Sequence, residues 1–215
     1  MLMQKAVSML LLLVLLVSAF IIPGCVRRPI DEAAAIERLM RAIKYLSENN
    51  YEPAILDFYS VLEIDPRKTE AYKGLASAYV MAGKPEKAKR ILQQGIAKVE
   101  APPVLKLALA GVYADMGKTT QAEYILKELT AITPLNISAY RAYTHLLFEQ
   151  QRTKEALELL LQAADKAVVP YHIYNLLSEV HMQNNDRELA LAAIRQSLMM
   201  NAKQAAAYSQ LTEIF

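Results

Sequence analysis

Three histidines, His145, His172 and His181, are the side chains whose ordinary proton affinity suits acid–base work near neutral pH. His172 and Glu179 fall on one helix face, with His145 one unit earlier, so a weak metal site can be drawn from these three. The competing reading makes His145 and His172 surface residues and His181 a core residue. Cys25 is the one cysteine, so no internal disulfide can form and its thiol is either free or modified. A glycine-rich phosphate loop, a paired Cys/His metal spacing and a Gly-x-Ser-x-Gly elbow are all missing from the sequence. The expectation is therefore a protein without catalytic residues, cofactor or metal. Lys and Arg number 24 against 22 Asp and Glu, a net charge of +2. That balance argues against nucleic acid, which requires a clustered basic face.

The elements that position these residues follow a period. Ala54, Ala88, Ala122, Ala156 and Ala190 recur every 34 residues, and four places after each stands Phe58, Leu92, Leu126, Leu160 or Ile194. Tyr45, Tyr79, Tyr113, Leu147 and His181 keep the same interval, as do the small residues Ala42, Ala76, Ala110, Thr144 and Ser178. Fixed small and large positions let antiparallel helices approach closely, the large side chain filling space beside the small one. One helix pair cannot bury its own apolar faces, and a stack of pairs can. Gly83 and Gly117 mark the turn within a pair as a left-handed helix end, and Asn49 and Asn185 share that slot. Gln151 is the exception, which predicts a less regular turn there.

Tyr72, Leu75-Ala76, Tyr79, Gly83, Ala88, Leu92 and Gly95, followed by Leu109-Ala110, Tyr113, Gly117, Ala122, Leu126 and Pro134, resemble the tetratricopeptide repeat (TPR) family. The resemblance spans residues 35–204, and it departs most where Arg41 replaces the usual Leu and His181 the usual Tyr. It implies an all-α fold, a right-handed α-solenoid of five helix-turn-helix repeats at 35–68, 69–102, 103–136, 137–170 and 171–204, with a C-terminal capping helix over 205–215. That helix ends on Ile214-Phe215, apolar for a stack end, so a frayed tail and packing against a second copy both remain open.

In TPR proteins the first helices line a concave groove. Positions i, i+4 and i+7 of each first helix share that face. They are Leu39, Ile43 and Leu46; Lys73, Ser77 and Val80; Leu107, Gly111 and Ala114; Arg141, His145 and Phe148; Asn175, Glu179 and Met182. The expected occupant is a protein or peptide partner, with apolar anchors at the first row and polar contacts further along. The family's clamp for acidic chaperone tails is missing, since Ser77 and not Asn stands one turn after Lys73.

The first 24 residues read as a signal peptide: a basic start, an uncharged apolar run from Ala6 to Ile22, and an exit at Pro23-Gly24. An uncleaved anchor is the second reading. Cys25 directly behind Gly24 resembles the lipobox of bacterial lipoproteins, although Pro23 stands where that family has a small or aliphatic residue. The resemblance implies export, cleavage before Cys25 and lipid attachment there, with residues 25–34 forming a tether and the start of the first helix, expected at Asp31. Arg27-Arg28 would then lie among lipid headgroups. Together these features predict a non-enzymatic, membrane-anchored scaffold of the bacterial cell envelope, which resembles the small TPR lipoproteins that assist pilus or secretin assembly and those that organise cell-wall enzymes. The alternative is a structural protein that dimerises through its C-terminal helix.

Overall fold

A computed structural model of the chain describes residues 29–99, 103–132, 136–166 and 170–214, so the signal segment, Cys25, Pro134 and Phe215 lie outside the described residues. Eleven helices follow one another among the described residues: α1 (Pro29–Ser47), α2 (Tyr51–Ile64), α3 (Thr69–Met81), α4 (Pro85–Lys98), α5 (Pro103–Asp115), α6 (Thr119–Ala131), α7 (Ile137–Glu149), α8 (Thr153–Lys166), α9 (Tyr171–Gln183), α10 (Arg187–Met200) and α11 (Ala205–Ile214). First helices α3, α5, α7, α9 and α11 begin 34 residues apart, and so do second helices α2, α4, α6, α8 and α10. The start of α1 lies two residues before the expected Asp31. Pro29 suits a first helical position, because its ring fixes a helical φ and the missing N–H would have no partner there.

Helices α1, α3, α5, α7 and α9 end in the same cap. Asn49, Gly83, Gly117, Gln151 and Asn185 have φ of 59°, 71°, 70°, 60° and 63°. At Gly83 the cap closes with Gly83 N–H donating to Val80 C=O at 2.9 Å and Lys84 N–H to Tyr79 C=O at 2.8 Å. The irregular turn expected at Gln151 is not found. Gln151 N–H donates to Phe148 C=O and Arg152 N–H to Leu147 C=O, both at 2.8 Å, which reproduces the glycine cap. Packing of the pair overrides the side chain's backbone preference, and the strain stays in place. Replacing Gln151 by Gly should therefore raise stability by about 0.5–1 kcal/mol, read as a higher denaturation midpoint.

The recurring alanines lie in the core. Ala54, Ala88, Ala122, Ala156 and Ala190 are each 0% exposed, so no larger side chain fits without parting the helices. Phe58, Leu92, Leu126, Leu160 and Ile194 are buried beside them. Each first helix packs on its own second helix, on the second helix of the preceding unit and on neighbouring first helices. Among the described residues, second helices of adjacent units do not pack on one another. This wedge puts the first helices on the inside of a curved stack.

The two ends depart from the pattern in ways that packing explains. Where later units have apolar pairs such as Leu75 with Ile91, the first unit has Arg41 and Asp57. Arg41 Nε and Nη2 donate to the two Asp57 carboxylate oxygens, both at 2.6 Å, and Asp57 is buried. That paired geometry holds the Asp57 carboxyl below the usual carboxylate range. At the other end, Ile214 is buried against Ala190, Ile194 and Ala207 of its own chain. Ile214 is thus a core residue of the last helix and not a contact offered to a second copy.

Candidate functional site

The inner faces of the first helices form a trough with two adjoining pockets. Lys73, Ser77, Val80 and Gly111 line one of about 360 Å³ between α3 and α5. Gly111, Ala114, Arg141 and His145 line the other, of about 590 Å³, between α5 and α7. Gly111 belongs to both, and a Cβ built on it would meet nothing within 4 Å. It is the low saddle between the pockets, open because it carries no side chain. A third pocket of about 180 Å³ lies between α9 and α11, with Glu179 and Met182 in its wall.

The remaining candidates lie elsewhere. Leu39 and Leu46 are partly buried against the core of the first units, leaving Ile43, 53% exposed, as the openly apolar member of that row. Leu107 packs partly into the next core cluster, and Phe148 is half-buried. Asn175 is a correction. It is buried, and its Nδ2 donates to Gln204 Oε1 at 2.9 Å, because the residues leading into α11 cover the position that Lys73 and Arg141 leave open in earlier units.

Charge is distributed along the trough rather than concentrated. Arg141 Nη1 donates to both carboxylate oxygens of Glu179, at 2.8 and 2.6 Å, tying α7 to α9. Gln210 Nε2 donates to Glu179 Oε1 at 2.8 Å. His145 Nδ1 lies 3.5 Å from Glu149 Oε1. These contacts occupy Glu179 and His145, which the metal reading needed. No cluster of three or more His, Cys, Asp or Glu that could hold a metal occurs among the described residues. Two charged wall residues, Asp115 and Glu149, are not among the sequence candidates. They stand one residue beyond the i+7 limit, at i+8 and one turn after Gly111 and His145 on the same face, so extending the face by one residue finds them.

A carboxylate ties the third unit to the fourth. Glu123 on α6 accepts from Arg152 at 2.8 and 3.1 Å and from the Tyr143 hydroxyl at 3.0 Å, and Lys127 Nζ lies at 2.8 Å. The Arg152 guanidinium, followed by Lys127, pulls the Glu123 carboxyl down to about 2. A carboxyl depressed in the folded state contributes stability above its unfolded pKa of about 4.3 and loses it as pH falls toward 2. The Glu123→Gln variant should accordingly be less stable than wild type at neutral pH and lose less on acidification. Denaturant midpoints measured from pH 7 down to about pH 2 check this.

Profiles described as tetratricopeptide repeat match residues 45–112 and 171–204. Among solved structures, PilF of Pseudomonas aeruginosa superposes with a TM-score of 0.59 at 14% identity, covering 86% of this chain and 84% of that one. A thermophilic TPR protein from Thermus thermophilus gives 0.59 at 17% identity, covering 84% and 98%. This chain is a tetratricopeptide-repeat protein, and its fold is the all-α solenoid of that family. By sequence it is 25% identical over 182 residues to human protein O-mannosyl-transferase TMTC1, across 82% of this chain. It is 35% identical over 83 residues to an uncharacterised protein of Aquifex aeolicus, across 39% of this chain. The matched regions make up 20% and 11% of the lengths of those two relatives. The TPR fold supports a protein–protein interaction scaffold, and protein or peptide partners are what such repeats bind.

Proposed function

We propose that this chain is a non-enzymatic scaffold, held at a membrane by its N-terminal segment, that seats a polypeptide segment in the trough of its first helices. The observation that carries this is the pair of pockets meeting at Gly111. They make a channel open along its length, walled by small and apolar side chains with isolated charges, which suits an extended or helical segment. It assembles no nucleophile with a base and an oxyanion pocket. Cys25 behind Gly24, the apolar run before it and Arg27-Arg28 after it support a lipid anchor on an exported protein. Pilus or secretion assembly and organisation of cell-wall enzymes are the two settings in which such an anchored scaffold would act.

A photo-crosslinking residue placed at Ser77, in the trough, and separately at Tyr124, 73% exposed on α6, tests this in native envelopes. Discrete protein adducts from position 77 and none from 124 are expected. Equal labelling from both positions, or none from 77, contradicts the reading.

A further inference from the structure

The first helix carries a face with no counterpart later in the stack. Ile36, Met40 and Ile43 are 48%, 67% and 53% exposed and, at i, i+4 and i+7, lie along one side of α1. In later units the Met40 position holds Gly74, Ala108, Ala142 or Leu176, none of them exposed. The reason is visible at Gly74, where a Cβ would stand 2.3 Å from the Phe58 ring of the preceding unit. No described unit precedes α1. The outermost unit of a solenoid ordinarily turns a polar face outward, and this one presents three large apolar side chains.

We infer that this side of α1 docks on the lipid bilayer itself, so that the first repeat lies against the membrane surface. The inference rests on the proposed membrane attachment, and the length of the tether argues for it. Only Val26, Arg27 and Arg28 separate Cys25 from Pro29, where α1 begins. That span reaches at most about 14 Å, so a lipid on Cys25 keeps the helix start at the headgroups. If the apolar run ending at Ile22 stays in the membrane instead, the tether is only three residues longer. From Pro29 to Met40 the helix advances roughly 17 Å, so a helix lying in the membrane plane places the whole face at the interface. Arg27-Arg28 at headgroup level and an apolar helix face just below it are the two components of an interfacial helix. Ile43 then belongs to the membrane contact, and a partner enters the trough from the second unit onward.

The chain contains no tryptophan, so Met40→Trp in the full, membrane-attached protein is a single reporter on an exposed position. The variant is reconstituted in phosphatidylethanolamine–phosphatidylglycerol vesicles with and without brominated acyl chains, beside Tyr124→Trp. Blue-shifted emission at position 40 that is lost on brominated lipid, with position 124 unaffected, is the expected result. Emission at position 40 typical of water, or blue-shifted yet unquenched because a second copy or the chain's own N-terminal segment covers it, overturns the docking. Co-flotation with vesicles reads the attachment separately. Flotation with an unquenched position 40 leaves the attachment standing and removes the docking, whereas failure to float removes both.

Discussion

Gly95→Val should part the second unit from the third and cost about 3 kcal/mol, the upper part of the range for overpacking a filled core. Gly95 is buried on α4, and a Cβ there would stand 2.7 Å from Tyr72 Cγ and 2.8 Å from Leu105 Cδ1. Tyr72 cannot swing aside, because it is 3% exposed and its hydroxyl donates to Pro66 C=O at 3.0 Å. Leu105 is 0% exposed. The collision falls at a junction between units, and a solenoid's stability is a sum of unit and junction terms. Urea denaturation followed by circular dichroism should thus show a lower first midpoint and a transition broadened or split in two. An unchanged curve would mean that α4 and α5 are not in the contact described here.

Gly111→Phe should do the opposite: leave the fold intact and remove partner binding. Its Cβ meets no neighbour within 4 Å, and exchanging Gly for another residue inside a helix gains a few tenths of a kcal/mol in propensity. The new ring fills the saddle shared by the two pockets. Partner affinity should fall at least about tenfold, a change of about 1.4 kcal/mol, while the melting temperature holds or rises slightly. Both quantities come from a titration and a melt on the same preparation. The contrast with Gly95→Val is informative because both glycines lie in helices, and only the space beside them differs.

Much of this architecture was legible because it repeats. The alanine column, the large residue four places later and the left-handed cap specify helix order and pairing. The resemblance to TPR proteins assigned the groove to the first helices, and seven of the candidates, Lys73, Ser77, Val80, Gly111, Ala114, Arg141 and His145, line its two larger pockets. What failed to show was what breaks the repeat. Gln151 takes the glycine cap because the pair closes around it, which a per-residue preference cannot foresee. Asn175 is closed off because the residues leading into α11 cover the fifth unit, whereas Ile214 takes the buried position that Val180 holds one unit earlier. Arg41 stands out in the sequence as a departure from the repeat, whereas its partner Asp57 does not stand out alone. The signal was available, since both columns turn from apolar to charged in the same unit.

The central claim is that the first helices hold the partner and the second helices hold the first. Amide hydrogen exchange on the full chain, alone and with the partner recovered from position 77, measures this helix by helix. Slower exchange in α3, α5 and α7 of the complex, with α4, α6 and α8 unchanged, is the result expected. Protection confined to the second helices, or spread equally over both, would contradict it.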